Sequence, residues 1–340
     1  MDELTPYERT MRRLAGQPVD RIPNQNILMA FAARYIGSTY DRLAQDYRVL
    51  VEGNLRACEA FHIDLVSAIS DPWREASAFG AQIVFPYDSV PQCVAPLLQS
   101  YADWRRLRLW DPWEHERTRD RLLAIQLCRQ KVGGQYPICG WVEGAAAEAA
   151  DLRGVSAFLE DTVLEPEAAQ ELLEICTQAA MHFALAQVEA GADIIGIGDA
   201  VASLMSPATY RAFALPYEQR IIAAIHERGA LVKLHICGNT SRHLADMAQT
   251  GADIIDVDWM VDWPTAVRAF RGRAANGNFD PVGVLLQGTP EDVRRATLNC
   301  IAGADERSFI SAGCEVPVNT PHANLLAQYR ALLEGASAQL

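Results

Sequence analysis

The sequence predicts a single α/β domain folded as a (β/α)8 TIM barrel, and two observations lead to this prediction. Short apolar runs alternate about eight times with helical patterns along the 340 residues. Such alternation indicates parallel strands joined by right-handed crossovers, and eight units in this length favour a closed barrel over an open sheet. Half of the residues are hydrophobic, which is enough for a large core. Residues 1–340 are therefore expected to form one domain.

Eight apolar runs are predicted to be the strands of this barrel. Each is about six to eight residues long, and a helical pattern follows it. In chain order the runs cover residues 23–28, 64–70, 136–143, 193–199, 231–237, 253–258, 275–280 and 308–313.

Proline near the start and glycine after the end mark most of the predicted helices. Residues 1–22 are expected to form a short helix after Thr5-Pro6 and then a turn into the barrel. The later helices are predicted at residues 166–189, 207–228, 241–250, 290–302 and 321–333.

One segment, residues 71–130, does not follow the alternation. It is rich in Trp and Pro, and it contains the apolar stretch 82–88. We expect an excursion over the barrel mouth that begins with a hairpin and continues as an exposed helical pair. Its arginines and tryptophans are typical of a solvated face with aromatic anchors.

Charge and composition exclude several classes of function. The formal net charge of −13 argues against binding to nucleic acid or to an anionic membrane. No apolar run approaches the roughly 20 residues that span a bilayer. The acidic start Met1-Asp2-Glu3 lacks the pattern of a secretion signal, so a cytoplasmic protein is expected, and its eight cysteines should be thiols rather than a disulfide framework.

Polar and soft side chains follow the predicted strands at the end where barrel enzymes place their catalytic groups. Chance seldom places a histidine, two cysteines and several acids together at strand ends. The residues in question are Glu143, Asp199, His235, Cys237, Asp258, Asn278, Asp280 and Cys314.

His235, Cys237 and Cys314 are predicted to bind one zinc ion. Side chains two residues apart on a strand point to the same face, so Cys237 points into the mouth if His235 does. Cys314 comes from the far side of the mouth. Three ligands with one open position are typical of catalytic zinc, and an imidazole with two thiolates suits zinc better than magnesium. The alternatives are a buried thiol beside a packed histidine, and Cys139 in place of Cys314.

Five other residues near the strand ends have alternative roles. Glu143 and Asp199 either cap helices or act at the metal, as a fourth ligand or by orienting another ligand, and we count them as catalytic candidates. Asn239 and Asn278 are the candidates for contact with a cofactor, and Asn239 also shapes the turn after Cys237. Asp280 precedes Pro281 and is equally typical of a turn.

Six stretches resemble the uroporphyrinogen decarboxylase superfamily, which has a (β/α)8 barrel. They are Pro18-Val19-Asp20-Arg21-Ile22-Pro23, Gly144 with its Ala-rich turn, Ile197-Gly198-Asp199, the segment from Ser206-Pro207 to Pro216-Tyr217, His235-Ile236-Cys237-Gly238-Asn239-Thr240 and Gly313-Cys314-Glu315-Val316-Pro317. True decarboxylases of the superfamily carry an Arg-rich motif after the first strand. Residues 24–30 contain no arginine here, which argues against porphyrinogen decarboxylation.

The resemblance favours the branch of corrinoid-dependent methyltransferases, similar to methylcobalamin:coenzyme M methyltransferases. In that branch a His-x-Cys pair and a later Cys bind zinc, and these positions carry over to His235, Cys237 and Cys314. The resemblance implies methyl transfer between methylcobalamin and a small molecule. That molecule is expected to be a thiol such as coenzyme M, or tetrahydrofolate. An Asp-x-His-x-x-Gly cobalamin motif is missing from this sequence, so the corrinoid is expected on a partner protein.

Other interpretations of the sequence stay open. The chain could load a corrinoid protein by demethylating an O- or N-methyl donor, decarboxylate a porphyrinogen, or bind a corrinoid protein without catalysis. A homodimer is compatible with the family, but no residue pattern decides the oligomeric state.

Overall fold

A computed structural model describes residues 3–100 and 103–337. In chain order the strands are β1 Val66–Ser67, β2 Ile83–Val84, β3 Gln92–Cys93, β4 Ile138–Glu143, β5 Ile194–Gly198, β6 Leu231–His235, β7 Ile254–Val257, β8 Ala274–Phe279 and β9 Phe309–Ala312. Seven of them form one parallel sheet in the order β1-β4-β5-β6-β7-β8-β9. The seven later strands predicted from the sequence are these seven, so the α/β barrel prediction is confirmed for them.

Fifteen α-helices occur in the described ranges, and most alternate with the parallel strands. They are α1 Pro6–Leu14, α2 Ala30–Tyr35, α3 Tyr40–Gln45, α4 Tyr47–Phe61, α5 Trp73–Phe79, α6 Glu116–Val132, α7 Ala145–Arg153, α8 Val155–Leu164, α9 Pro166–Ala190, α10 Pro207–Phe213, α11 Leu215–His226, α12 Leu244–Met247, α13 Trp263–Ala269, α14 Pro290–Ala302 and α15 His322–Ser337. Short 3-10 turns cover Trp104–Arg106 and Ala200–Leu204, and a π-helical turn covers Pro281–Leu286.

The first predicted strand needs a correction. Residues 23–28 lie between β9 and β1 and close the barrel, but they form no regular ladder. Backbone hydrogen bonds hold the segment at the Asn24 carbonyl, which accepts from Asp64 N (2.7 Å), and at the Pro23 carbonyl, which accepts from Ile310 N (3.2 Å). Pro23 has no N–H to donate. Side chains supply the remaining links to β9, as in the bond from Ala312 N to Asn26 Oδ1 (2.8 Å).

Two predicted helices are shorter than expected. The helix predicted at 207–228 is divided at Ala214 into α10 and α11. Pro216 has no backbone N–H for a helical hydrogen bond, and its ring would clash with the preceding turn of a continuous helix. The pattern at 241–250 leaves only the four-residue helix α12, with turns on either side. Helix α14 matches its predicted range and begins with a capping box between Thr289 and Asp292.

The excursion is partly as predicted. It contains α5 and then the antiparallel hairpin of β2 and β3. The prediction of an exposed helical pair is wrong. One helix, α6, follows the 3-10 turn, and it packs against α4, α9 and β4. Leu122, Ile125 and Cys128 are buried there. The arginines that look solvated in the sequence include Arg117 and Arg121, which are also buried.

Two hydrophobic clusters hold the barrel together. The larger one lies between the sheet and the helices. The smaller one is built from Leu65, Ile69, Cys139, Trp141, Ile194, Ile254, Ala274 and Phe309, with Leu14 of α1 packed against it. All eight cysteines lie in the described ranges and are unpaired. In those ranges, every helix is too short or too polar to cross a bilayer.

Candidate metal centre

The turns after β6 and β9 bring the three predicted zinc ligands together. Two strands, β7 and β8, separate β6 from β9 in the sheet. Nevertheless Cys314 Sγ lies 3.8 Å from His235 Nε2, across the mouth formed by the C-terminal ends of the strands. The thiols of Cys237 and Cys314 are also close enough to shift each other's pKa. The structure therefore brings one imidazole and two thiols to the same part of the mouth.

The separation between these donors fits a tetrahedral zinc ion. Zn–N and Zn–S bonds of about 2.1 and 2.3 Å at a tetrahedral angle put the two donor atoms about 3.6 Å apart. The observed 3.8 Å between His235 and Cys314 is close to that value. Within residues 3–100 and 103–337 no three His, Cys, Asp or Glu side chains are arranged so that they could hold a metal ion as they stand. A bound ion would thus have to draw the three donors together.

The three donor groups shift one another's pKa values. The interaction with Cys314 lowers the pKa of Cys237, and the same interaction, together with burial, raises the pKa of Cys314. Burial alone would lower the pKa of His235, but its hydrogen bonds to Asp256 and Cys314 raise it to about 10. Metal binding here would release protons, because zinc takes thiolates and neutral imidazole as ligands.

Asp256 fixes the orientation of His235. Its Oδ2 lies 2.8 Å from His235 Nδ1, and its Oδ1 lies 2.6 Å from Lys233 Nζ. Both carboxylate oxygens are therefore engaged, and Nδ1 carries the proton that Asp256 accepts. This arrangement leaves Nε2 directed at Cys314, as a metal-binding histidine requires.

Asp258 ties the two cysteine-bearing turns to each other. Its Oδ2 accepts a hydrogen bond from Gly238 N (2.6 Å), directly after Cys237. A Cβ at Gly313, directly before Cys314, would lie 2.9 Å from Asp258 Oδ1. Asp258 is thus wedged between the two turns. Its oxygens are already used, by Gly238 and by Trp259 N (2.7 Å), so it supports the site rather than serving as a free ligand.

Glu143 lies at the edge of the mouth. In the sheet register it pairs with Gly198, which pairs with His235 on the next strand. Its carboxylate forms an ion pair with Arg74 (3.1 Å), and burial raises its pKa well above the usual range. Glu143 is close enough to Cys237 to raise that thiol's pKa. Its role at the metal stays a prediction.

Asp199 is placed differently from Glu143. It is fully buried, and its Oδ1 accepts a hydrogen bond from Ala147 N (2.8 Å) in the first turn of α7. A Cβ at Gly144 would overlap the Asp199 carboxylate at 2.5 Å, so α7 begins directly on this side chain. Asp199 was expected to cap the helix that follows it, but it makes no side-chain cap to the 3-10 turn there and instead binds the first turn of α7, which precedes it in the chain. Burial raises the pKa of Asp199 to about 7.

The remaining candidates hold turns. Asn239 is exposed and accepts a hydrogen bond from Ser241 N (3.2 Å), as expected for a turn residue. Asn278 is buried and donates to the Val261 carbonyl (2.7 Å) in the loop after β7. Asp280 accepts from Val282 N (2.8 Å) and caps the π-helical turn. The proposed cofactor contacts of Asn239 and Asn278 stay predictions.

Cys139 is not close to the other two cysteines. It lies in the hydrophobic cluster inside the barrel, and burial raises its pKa to about 12. The structure thus favours Cys314 over Cys139 as the third donor.

Sequence reasoning missed two groups around the site. Lys233 is fully buried in the barrel interior, and its spacing of two residues from His235 could have placed it on the same face. Arg74 and Glu75, which contact Glu143, lie in α5 at the start of the segment 71–130, where no periodic pattern marks them in the sequence.

Comparison with known proteins agrees with this architecture. The family model for uroporphyrinogen decarboxylase (URO-D) matches residues 5–334. The chain belongs to the URO-D family. A methylcobamide:CoM methyltransferase, MtbA, of Methanosarcina mazei is 32% identical over 336 residues, covering 96% of each chain. A uroporphyrinogen decarboxylase of a Synechococcus species is 27% identical and covers 94% of this chain and 90% of its own length.

A solved structure shares the fold over almost the whole chain. It is described as a methyltransferase from Methanosarcina mazei, and it superposes with a TM-score of 0.90 at 26% identity. The match covers 98% of this chain and 99% of the other. The family and barrel predictions are both confirmed by these findings.

Proposed function

We propose that this protein is a zinc-dependent methyltransferase that moves a methyl group between a corrinoid on a partner protein and a small thiol of the coenzyme M type. The contact between His235 and Cys314 carries the proposal, because it joins the ends of two non-adjacent strands into one soft donor set. The relatedness to a methylcobamide:CoM methyltransferase supports the same chemistry.

The donor set determines what the site can do. His235, Cys237 and Cys314 would hold the ion, and Asp256 would keep His235 in the tautomer that presents Nε2. A zinc ion bound there would keep a substrate thiol deprotonated at neutral pH, where a free thiol is largely protonated. The open fourth position of such a site leaves room for that thiol.

The methyl transfer itself needs little else from the chain. The corrinoid would supply the methyl group: the substrate sulfur would bond to the methyl carbon, and the electron pair of the broken cobalt–carbon bond would stay with the corrinoid. Asp258 holds the turns that carry both cysteines, so the donors stay fixed during the reaction. Such positioning is a large part of what an enzyme contributes to a displacement reaction.

The rim of the mouth could accept the corrinoid partner. Leu204, Trp259, Met260 and Val282 are large apolar side chains that are exposed, and they lie in the loops after β5, β7 and β8. Exposed apolar side chains grouped around a site are typical of interaction surfaces. The corrinoid protein would then dock where its methyl group faces the two cysteines.

Zinc content gives the first test. We expect about one zinc ion per purified chain, lost in Cys237→Ala and retained in the matched control Cys139→Ala, because Cys139 lies away from the donor set. Metal analysis measures the stoichiometry. Demethylation of methylcobalamin with coenzyme M as acceptor measures the activity, which should follow the zinc content. Full activity in metal-free protein would contradict the proposal.

A decarboxylase remains the second candidate, because the family includes uroporphyrinogen decarboxylases. Residues 24–26 are two asparagines and a glutamine, all buried, rather than arginines that could bind a polycarboxylate. Metal-independent turnover of uroporphyrinogen would establish this candidate. We expect none.

A further inference from the structure

A closed ring of polar side chains lies inside the barrel beneath the donor set. Lys233 Nζ contacts Asp256 Oδ1 (2.6 Å), which accepts from Asn276 Nδ2 (2.7 Å). The Asn276 Oδ1 accepts from Ser311 Oγ (2.8 Å), and that hydroxyl accepts from Gln25 N (2.8 Å). Gln25 Oε1 then accepts from Lys233 Nζ at 3.2 Å and completes the ring.

The ring connects the parts of the barrel that carry the metal donors. Its members belong to β6, β7, β8, β9 and the closing segment 23–28. His235 is two residues after Lys233 on β6, and Cys314 is three residues after Ser311 on β9. The ring therefore fixes the spacing between the two strands whose ends must meet.

Lys233 has a special position in this ring. It is fully buried, and it is the charged partner of Asp256 there. With Oδ1 held by Lys233 and Asn276, the other oxygen of Asp256 is left to accept from His235 Nδ1 (2.8 Å). Without the ammonium group, the buried carboxylate would lose its lysine counter-ion, which is unfavourable. It would then change its orientation, and the acceptor for His235 would be weakened.

We propose that Lys233 is a positioning residue of the metal centre, which acts by orienting Asp256 and through it the imidazole of His235. This inference rests on the proposed function, because it assumes that His235 binds zinc. A purely structural role would be different, since Lys233 would then only help to close the barrel through Gln25. Substitutions of Lys233 and of its hydrogen-bond partner Gln25 distinguish these two roles.

The experiment compares Lys233→Met with Gln25→Met in the full chain. Both changes remove the Lys233–Gln25 hydrogen bond, but only Lys233→Met takes the ammonium group away from Asp256. Zinc affinity is measured by competition with a chromogenic chelator. We expect Lys233→Met to bind zinc about tenfold to a hundredfold more weakly than the unmodified protein, as is typical when the partner of a ligand is lost, and Gln25→Met to stay within a few-fold.

Cobalt(II) provides a readout that stability does not affect. The visible absorption of the cobalt-loaded protein reports the ligand field, so Lys233→Met should change the spectrum and Gln25→Met should not. Lys233→Gln, a neutral side chain that can still form hydrogen bonds, should behave as Lys233→Met does, and it carries the test if Lys233→Met does not fold.

Three results would overturn the inference. Unchanged zinc affinity and cobalt spectrum in both Lys233 variants would show that the lysine only stabilises the barrel. Equal losses in Gln25→Met and Lys233→Met would assign the effect to the ring as a whole. If the unmodified protein binds no zinc, the proposed function fails together with this inference. If it binds zinc and the Lys233 variants bind zinc equally well, the inference alone fails.

Discussion

Two buried clusters of charged residues in this barrel are built in opposite ways. At the N-terminal end, Arg9 and Arg21 face Asp20 and Asp64 in a matched set of two cations and two anions. Arg9 contacts both carboxylates at 2.7 Å, and Arg21 contacts Asp64 at 2.6 Å. Asp64 is fully buried and also accepts from Asn24 N (2.7 Å), so its charge is compensated on all sides.

The second cluster lies beside the mouth and is not matched. Helices α5 and α7 pack together there, bury Glu75 and Glu148 and partly bury Asp151 near Arg74, which also pairs with Glu143. Neither carboxylate oxygen of Glu148 has a hydrogen-bond partner in the described part of the chain. Burial raises the pKa values of Glu143, Glu148 and Asp151 well above the usual range. Burial therefore favours the protonated form of these acids.

The difference separates charged residues that stabilise the barrel from charged residues that are typical of a functional region. Charged pairs at the N-terminal end attach α1 and the closing segment to the start of β1, and they contribute to stability. Uncompensated acids near the mouth contribute little to stability and are typical of functional regions, where pKa values are shifted. The same substitution, a carboxylate changed to an amide, should have opposite effects in the two places.

Asp64→Asn is expected to have the largest effect. It would remove the carboxylate that Arg9 and Arg21 share, and removal of one partner from a buried ion pair costs about 3–5 kcal/mol. The free energy of unfolding, measured by urea titration, should fall by that amount. Zinc bound per folded chain should not change, because Asp64 lies at the opposite end of the barrel. A loss below about 1 kcal/mol would mean that the cluster is no stronger than a surface ion pair.

Glu148→Gln should act in the opposite direction. The folded-state pKa of Glu148 is raised, so the folded protein keeps a proton that the unfolded chain releases above a pH of about 4.3. Glu148 therefore stabilises the fold least at high pH. The amide has no proton to lose, and we expect the variant to be at least as stable as the unmodified protein at pH 7.

The pH dependence sharpens this prediction. Between pH 5 and pH 8 the stability of Glu148→Gln relative to the unmodified protein should rise, by at most about 1.4 kcal/mol per pH unit. Urea unfolding at several pH values measures the trend. A stability difference that stays constant with pH would show that Glu148 is ionised in the fold, in contradiction to its burial without a partner.

The parallel arrangement of the strands and the location of the donors could be predicted from the sequence for a physical reason. The strands β4 to β9 are buried on both faces, so each gives a short continuous apolar run in the sequence. Ile194, Ile195 and Ile197 are an example. Parallel strands also put their C-terminal ends at one edge, and His235, Cys237 and Cys314 were therefore expected together.

The rest depends on contacts that no local pattern encodes. The segment 23–28 looks like a strand by its composition, yet side chains such as Asn26 make its links. Asp199 and Glu143 occupy similar strand ends, but Gly144 lets α7 approach Asp199, and Arg74 reaches Glu143 from the excursion. Which partner meets a strand-end acid is decided by packing between distant segments.

Asp199→Asn is expected to have the smallest effect, and it decides whether Asp199 belongs to the reaction. The asparagine Oδ1 can still accept from Ala147 N, and asparagine is as good a helix cap as aspartate. Methyl transfer and zinc content should therefore stay near those of the unmodified protein, whereas Asp199→Ala should cost about 1 kcal/mol of unfolding free energy through the lost cap. If Asp199 were a general acid or base, Asp199→Asn would reduce the rate by about a hundredfold or more with zinc retained. Because the carboxyl group is closed off from the mouth under Gly144, we expect the first result.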